Sequence, residues 1–226
     1  MIALTRDEFA KTFDFSILKP TATEAEILEG CRSAWQNNFK LLMIQPRHTE
    51  LAARELKGSG VLVGAVLSFP HGADLTEVKA FSAEKLRTLG ADELDMVMDL
   101  GAFKAGDHSA VVFDIAAVVT AAGGAPVKVI LETCELSKEE IVIACRLVQQ
   151  AGAQFVKTST GFAAKGADPI DIKLMRKTVG PAMGVKASGG IRTLDQALIM
   201  LEAGANRIGV SAGESLLTEW DARFGK

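Results

Sequence analysis

The sequence predicts an α/β fold, a single-domain (β/α)8 or TIM barrel in which eight parallel strands alternate with helices. Short apolar runs alternate with longer segments of helical periodicity eight times along the 226 residues. The apolar runs are nearly continuous, as in parallel strands that are covered on both faces. No linker or low-complexity segment interrupts the pattern, so residues 1–226 are expected to form one domain. A doubly wound open sheet is the alternative architecture.

The predicted strands are the runs rich in branched apolar residues. They span residues 13–18, 39–45, 61–69, 93–99, 127–133, 155–160, 183–188 and 207–211. The predicted helices span residues 23–37, 49–57, 75–89, 109–122, 138–150, 169–179 and 194–203, and a last one starts at Glu214. Polar residues that cap helix starts stand at Ser137, Asp168 and Thr193. Glycines that end helices in the left-handed conformation stand at Gly90, Gly152 and Gly204.

Composition and charge exclude several function classes. The net charge is −3 and no cluster of basic residues occurs, which argues against a nucleic-acid partner. No apolar run approaches the length of a membrane span, and the start of the chain lacks the pattern of a secretory signal. We therefore expect a cytoplasmic protein without a membrane partner. The barrel fold allows a homodimer that pairs through its outer helices.

Cysteines and histidines do not form a metal-binding pattern. Cys31, Cys134 and Cys145 are an odd number of thiols without the spacing of zinc ligands, so reduced, packed thiols are expected. The three histidines, at positions 48, 71 and 108, also lack ligand spacing. The sequence therefore predicts no metal and no cofactor.

Two lysines lie inside apolar strand patterns, which is an unusual place for a charged amine. Lys157 lies in Phe155-Val-Lys-Thr-Ser-Thr-Gly, and Lys186 lies in Met183-Gly-Val-Lys-Ala-Ser-Gly-Gly. A second cation nearby and a partly dry site lower the pKa of a lysine, so that it can attack a carbonyl as a neutral amine and form a Schiff base. This pair is a candidate nucleophile and the cation that tunes it.

Asp95 belongs with these lysines if the strands close into a barrel. Alternation along the fourth, sixth and seventh strands directs Asp95, Lys157 and Lys186 to the inside, where they converge on one axial pocket. An acid between two amines can transfer protons. A structural ion pair is the alternative for Asp95 and Lys157. Lys128 is predicted to lie towards the bottom of the barrel, away from the chemistry, as a partner of Asp95 or Glu132, and a supporting role behind the site is the alternative.

Glycine-rich loops follow the last strands. Ser188-Gly-Gly-Ile-Arg-Thr follows the seventh strand, and Gly209-Val-Ser-Ala-Gly follows the eighth and opens the last helix. Glycines let backbone N–H groups approach an anion, and loops after strands seven and eight are the usual phosphate site of this fold. Tight turns alone could also explain the glycines. Together the loops, with Gly161, favour a phosphorylated ligand.

Five segments together resemble deoxyribose-phosphate aldolase, over nearly the whole chain. They are Glu93-Leu-Asp-Met-Val, Val129-Ile-Leu-Glu-Thr, Phe155-Val-Lys-Thr-Ser-Thr-Gly-Phe, Val185-Lys-Ala-Ser-Gly-Gly-Ile-Arg-Thr and Arg207-Ile-Gly-Val-Ser-Ala-Gly. The resemblance implies a metal-free class I aldolase that interconverts 2-deoxy-D-ribose 5-phosphate with D-glyceraldehyde 3-phosphate and acetaldehyde. It implies that Lys157 forms the Schiff base, that Lys186 lowers its pKa and that Asp95 relays protons. The substrate-binding residues it implies are Ser16, Met43, Gln45, Thr158, Gly161, Gly189, Gly190, Gly209 and Ser211.

Three early strands depart from the family pattern at their upper ends. Phe15 and Ser16 replace the family's histidine and threonine, Met43 and Gln45 replace its cysteine and asparagine, and His71 replaces its leucine. These changes leave a second hypothesis open, a related Schiff-base aldolase with a shifted aldehyde or sugar-phosphate specificity. His71 follows the third strand and is a candidate for reaching the pocket. A third hypothesis is a non-catalytic protein that binds phosphorylated sugars and would not need the lysines.

Overall fold

The computed structural model describes residues 4–225 as a closed barrel of eight parallel strands, paired in chain order. The first and last strands complete the cylinder, with Phe13 in register with Ile208, so the open-sheet alternative is wrong. The predicted fold class is confirmed. Residues 1–3 and 226 of the predicted domain lie outside the described residues.

The strands are shorter than the apolar runs that predicted them. They are β1 Phe13–Ile17, β2 Leu41–Ile44, β3 Leu62–Leu67, β4 Glu93–Val97, β5 Val127–Ile130, β6 Phe155–Lys157, β7 Gly184–Ser188 and β8 Arg207–Val210. Most end one to three residues before the predicted end. Residues just past β5 and β6, such as Leu131 and Thr158, stay buried although the chain has left the ladder. Burial of loop residues therefore lengthens the apolar pattern beyond the strand.

Ten α-helices surround the barrel within the described residues. They are α1 Arg6–Ala10, α2 Glu24–Gln36, α3 Thr49–Glu55, α4 Thr76–Thr88, α5 Leu100–Lys104, α6 His108–Ala121, α7 Lys138–Gln150, α8 Pro169–Val179, α9 Leu194–Glu202 and α10 Gly213–Phe224. The sequence did not predict α1 and α5, because five residues are too few to show a helical period. The capping box of Thr5 and Glu8 is a signal that could have located α1.

The predicted helix ends are confirmed. Ser137 and Thr193 form capping boxes with residues three positions later, and the Asp168 carboxylate accepts a hydrogen bond from the Ile170 N–H. The glycines at positions 90, 152 and 204 have φ of 98°, 83° and 111°, a region that residues with a Cβ adopt at a cost. These local signals determine where the helices begin and end.

The apolar core lies mainly between the sheet and the helices, and the inside of the barrel is divided. On the side of β2 and β3 a small apolar cluster of Leu41, Met43 and Val66 fills the interior. Around the rest of the cylinder the buried polar residues that alternate inward are charged: Asp14, Glu93, Asp95, Lys128, Lys157, Lys186 and Arg207. Such a concentration of buried charge is rare unless the groups are paired, which points to the barrel interior as the functional region.

The helical layer carries the cysteines. Cys31 on α2 and Cys145 on α7 are buried and Cys134 is half-buried, and all three are free thiols. Burial raises the pKa of Cys145 to about 12, so this thiol stays protonated near neutral pH.

Within residues 4–225 no helix combines the length and apolarity that a membrane span needs.

Candidate active site

Three neighbouring parts of the barrel bring Asp95, Lys157 and Lys186 together. Lys157 on β6 and Lys186 on β7 are register partners, and Asp95 reaches both from β4. Asp95 Oδ2 lies 2.8 Å from Lys157 Nζ and 2.7 Å from Lys186 Nζ. All three side chains are at most 3 % exposed. One carboxylate oxygen therefore bridges two amines in a site that bulk water hardly reaches.

Asp14 on β1 is a fourth member of this group that the sequence reasoning missed. Its Oδ2 lies 2.6 Å from Lys186 Nζ, and its Oδ1 accepts a hydrogen bond of 2.7 Å from Arg207 Nε. Asp14 is fully buried. The signal that exposed Lys157, a charge inside an apolar strand, was also present at Asp14. Lys186 is thus held from two sides, by Asp95 and by Asp14.

Lys128 lies closer to the chemistry than its early position in β5 suggested. Its Nζ is 2.9 Å from Asp95 Oδ1 and 2.6 Å from Glu93 Oε2, so it binds the same carboxylate as Lys157. The partnership with Asp95 agrees with the prediction, but the placement away from the site is wrong. Glu132, the other predicted partner, binds Thr160 instead. Lys128 and Asp95 are register partners on adjacent strands, so both side chains point into the barrel at the same level.

The network is not electrically balanced when every member is charged. Within the described residues it contains four basic groups, Lys128, Lys157, Lys186 and Arg207, and three acidic groups, Asp14, Glu93 and Asp95. A buried charge without compensation is costly, and the group usually shifts its pKa instead. The network is neutral if one amine is unprotonated.

Lys157 is the amine whose pKa the environment lowers. Its pKa falls from 10.5 to about 8, first because burial penalises the charged form and then because Lys186 and Lys128 repel it, against the attraction of Asp95. The pKa of Lys128 moves the other way, because its three carboxylate neighbours outweigh the effect of burial. The pKa of Asp95 is held well below its usual range: burial alone would raise it, but Lys128, Lys157 and Lys186 dominate. The site therefore combines ionised carboxylates with one amine poised to lose its proton.

A cavity of about 760 Å³ opens above this network. Lys157, Lys186 and Asp14 form its floor, while residues from the loops after β1, β6, β7 and β8 form its walls. The predicted binding residues that line it are Ser16, Met43, Gly161, Gly189, Gly190, Gly209 and Ser211. Both lysines are accessible from this space, as a covalent reaction with a small molecule requires.

Several residues named from the sequence lie outside the cavity lining, among them Asp95, which lies beneath the two lysines. The Gln45 side chain donates a hydrogen bond of 3.0 Å to the Leu18 carbonyl oxygen, which ties β2 to the loop after β1. Thr158 is fully buried, and its hydroxyl exchanges hydrogen bonds with the backbone of Ser188. His71 is exposed and is absent from the walls of the cavity.

Strand β8, together with the loop after it, approaches the lysines closely. A Cβ on Gly209 would lie 2.7 Å from Ser188 Cβ and 3.2 Å from Lys186 Cε, so only glycine leaves the lysine in place. Helix α10 starts at Gly213, directly after this loop. Its free N–H groups face the end of the barrel where the strands finish, an arrangement that favours an anion.

The loop after β6 is fastened on both sides. On the β7 side, Thr158 bonds to the Ser188 backbone, and the Ser188 hydroxyl donates to the Ser159 carbonyl oxygen at 2.6 Å. On the β5 side, both oxygens of the Glu132 carboxylate accept from the Thr160 N–H, at 3.2 and 3.3 Å. The loop that carries Gly161 into the cavity is thus held rigidly relative to Lys157.

Aromatic side chains shape the mouth. Phe162 lines the cavity and meets Phe69 edge-on, with ring centroids 5.4 Å apart. Phe15, which also lines the cavity, packs against Phe39 behind it at 5.2 Å.

Within residues 4–225 no group of three or more His, Cys, Asp or Glu side chains is arranged to hold a metal ion. The arrangement can bind a small polar molecule, form an imine at Lys157 and move protons through Asp95.

The family model of the DeoC/LacD family aldolases matches residues 5–218 of this chain. A deoxyribose-phosphate aldolase of Clostridium perfringens (strain SM101 / Type A) is 52% identical over 210 residues, which cover 92% of this chain and 94% of that protein. One from Thermococcus gammatolerans is 53% identical over 210 residues, covering 91% of this chain and 93% of that protein. The similarity thus extends over nearly the full length of both proteins.

Solved structures are similar over the same span. The deoxyribose phosphate aldolase of Aeropyrum pernix, described as a tetramer, has a TM-score of 0.91 and 33% identity, and the alignment covers 97% of this chain and 93% of that one. The match of sequence and structure across the whole barrel excludes a likeness confined to a shared fold. This chain belongs to the DeoC/LacD aldolase family.

Proposed function

We propose that this chain is a class I aldolase that reversibly cleaves 2-deoxy-D-ribose 5-phosphate to D-glyceraldehyde 3-phosphate and acetaldehyde. The observation that carries the proposal is the buried Lys157 amine, which has a pKa of about 8 and lies 2.8 Å from Asp95 at the floor of the cavity. The full-length similarity to deoxyribose-phosphate aldolases supports the choice of substrate. A lyase of this kind serves the degradation of deoxyribonucleotide sugars.

Lys157 attacks the aldehyde carbon of the open-chain sugar, and loss of water gives an iminium ion. The bond between carbons 2 and 3 then breaks as the 3-hydroxyl loses its proton, and the iminium accepts the electron pair as an enamine. Protonation of the enamine and hydrolysis release acetaldehyde and the free lysine. Asp95, which touches both amines, relays protons with water at the carbinolamine and enamine steps.

The glycine loops bind the phosphate in this proposal. Gly161, Gly189, Gly190, Gly209 and Ser211 line the upper wall of the cavity, and α10 begins beside them. Ser16 and Met43 line the opposite wall. Gln45 and Thr158 contribute from behind it, by holding the loops after β1 and β7.

A retro-aldol assay tests the proposal. The purified protein is mixed with 2-deoxy-D-ribose 5-phosphate, and D-glyceraldehyde 3-phosphate is measured with a coupled dehydrogenase. Unphosphorylated 2-deoxy-D-ribose and other phosphorylated aldols serve as comparison substrates. The replacement of smaller family residues by Met43 and Phe15 favours a shifted specificity as the second candidate. Preferential cleavage of another aldol would support that candidate, and no cleavage of any of them would contradict both.

The pKa of Lys157 predicts how the rate depends on pH. Only the neutral amine attacks, so kcat/KM should rise about tenfold per pH unit below a pKa of about 8 and level off above it. Initial rates between pH 6 and 9.5, with the coupling enzyme in excess, measure this profile. Lys186→Met removes a repelling cation, so it should move the midpoint to higher pH. An unchanged midpoint would contradict the tuning role of Lys186.

We further propose a homodimer and a cytoplasmic location. Free cysteines are typical of a reducing compartment. On the outside of the barrel, Leu75 at the N-cap of α4 and Val78 and Phe81 on α4 are 50–72% exposed. Phe113 is 67% exposed on the adjacent α6, which is joined to α4 by the ion pair of Lys79 and Asp114. Together they expose on the order of 500 Å² of apolar surface, more than half of the roughly 800 Å² per partner in a stable interface.

Phe81→Glu should therefore convert the dimer to a monomer. A charge in an apolar interface costs several kcal/mol, more than a standard interface of this size can lose. Light scattering coupled to size exclusion measures the mass of both proteins. Phe224→Glu, at an exposed aromatic residue on α10, is the matched control and should leave the mass unchanged. A monomeric starting protein would contradict the proposal.

A further inference from the structure

Glu132 has a backbone conformation that needs a reason. It follows β5 with φ 52° and ψ 63°, in the left-handed region that a residue with a Cβ adopts only at a cost. Its carboxylate is buried, with 4% of the residue exposed. Strain of this kind persists where surrounding contacts enforce it, and it concentrates at functional sites.

The hydrogen bonds of the Glu132 carboxylate all go to Thr160. Both carboxylate oxygens of Glu132 accept from the Thr160 N–H, and Oε2 also accepts from the Thr160 hydroxyl. Thr160 Oγ1 in turn accepts from the Phe162 N–H at 3.1 Å. A single carboxylate thereby fixes the amides on either side of Gly161.

The backbone N–H of Gly161, between these two fixed amides, takes no part in the hydrogen bonds of this turn. Within residues 4–225 its N–H has no hydrogen-bond partner, and Gly161 lines the cavity that contains Lys157. A backbone N–H that is free, fixed in direction and open to a cavity is a preorganised donor for an anion. Glu132 does not line the cavity itself, so any effect on a ligand passes through the loop.

We infer that Glu132 is a positioning residue that orients the Gly161 N–H towards the phosphate and so sets the preference for phosphorylated over unphosphorylated substrates. The inference rests on the proposed function, and it assigns to Glu132 a role that the chemistry at Lys157 does not require. Glu132 acts on binding of the phosphate end, while imine formation takes place at the other end of the substrate. The two roles are therefore separable by experiment.

Glu132→Gly is the decisive variant. Glycine adopts the left-handed conformation without strain, so the variant removes the carboxylate while it keeps the backbone turn. Kinetics with 2-deoxy-D-ribose 5-phosphate and with 2-deoxy-D-ribose give kcat and KM for both substrates. Competitive inhibition by inorganic phosphate reports the anion site directly. Borohydride trapping of acetaldehyde on Lys157, followed by mass spectrometry, reports imine formation without any phosphate.

For the phosphorylated substrate we expect KM to rise, and for inorganic phosphate we expect Ki to rise, each by about 10-fold or more with a smaller change in kcat. Cleavage of 2-deoxy-D-ribose and trapping of acetaldehyde should change less than about 3-fold, because the lysine keeps its place. Glu135→Gln, at an exposed acid in the same turn, is the control and should behave like the unaltered protein.

Equal losses on both substrates, or an unchanged Ki for inorganic phosphate, would overturn the inference. If Glu132→Gly does not fold, Glu132→Gln gives the same comparison with the side-chain shape preserved. The proposed function fails separately, if the unaltered protein cleaves neither substrate. Failure of the inference leaves that activity intact.

Discussion

Replacing Lys157 with leucine is expected to reduce kcat/KM for 2-deoxy-D-ribose 5-phosphate at least about 10⁴-fold, or about 5.5 kcal/mol of transition-state stabilisation. Leucine cannot form the iminium ion that accepts electrons when the carbon–carbon bond breaks. The fold should survive, since Asp95 keeps Lys128 at 2.9 Å and Lys186 at 2.7 Å. Loss of an amine whose charged form burial disfavours should leave thermal stability unchanged or raised.

Trapping with acetaldehyde and borohydride gives the covalent counterpart of this result. Mass spectrometry should locate the adduct on the peptide that contains Lys157 in the unaltered protein and find none in the variant. Lys173→Leu, at an exposed lysine on α8, is the matched control and should retain both the adduct and the rate. An adduct of equal yield in Lys157→Leu would assign the nucleophile to another amine. If the unaltered protein shows no activity and Lys157→Leu still binds the phosphorylated sugar, the non-catalytic hypothesis is favoured.

Asp95→Asn is expected to weaken the fold as well as the activity. Asp95 is the carboxylate shared by Lys128, Lys157 and Lys186, and removal of one partner from a buried ion pair typically costs 3–5 kcal/mol. The rate should fall by about 10²–10⁴-fold, the usual contribution of a positioned proton carrier. The rate falls although loss of Asp95 lowers the pKa of Lys157 further, because a neutral amine alone does not complete the proton transfers.

A second buried ion pair provides the control for this variant. Asp114 on α6 binds Lys79 at 2.6 Å, and both side chains are almost fully buried. Asp114→Asn should lose comparable stability by urea unfolding, yet retain its rate at temperatures where it is folded. If Asp95→Asn under those conditions loses no more activity than Asp114→Asn, then Asp95 has a structural role only.

The sequence predicted the barrel because its signals are local. Apolar runs, capping residues such as Ser137 and glycines such as Gly204 each act within a few positions, and the structure repeats them in order. The five-residue helices α1 and α5 escaped because they are shorter than the period that reveals a helix. Strand ends were misplaced where buried loop residues such as Leu131 continue the apolar pattern.

The site was predicted less completely, because its contacts join distant parts of the chain. Alternation along the strands predicted that Asp95, Lys157 and Lys186 share the inner face. In the structure the Asp95 carboxylate lies within 3 Å of the amines of both Lys157 and Lys186. Asp14 carries the same local signal as the lysines, a charge inside an apolar strand, but nothing local shows that it meets Lys186, 172 positions later. Glu132 was one of two predicted partners of Lys128, because the left-handed turn that directs it towards Thr160 has no clear sequence signal.

The lowered pKa of Lys157 also determines how this residue contributes to the pH dependence of the free energy of unfolding. In the unfolded chain Lys157 regains its ordinary pKa of 10.5, so unfolding at a pH between about 8 and 10.5 takes up a proton at this residue. The sign follows: the unfolded state binds more protons, so this residue's contribution to stability rises with pH across that window. Below pH 8, where Lys157 is protonated in both states, burial of its charge costs the fold about 3 kcal/mol. The fold is therefore less stable near neutral pH than it would be with an uncharged residue at this position, and in return it holds an amine that deprotonates easily.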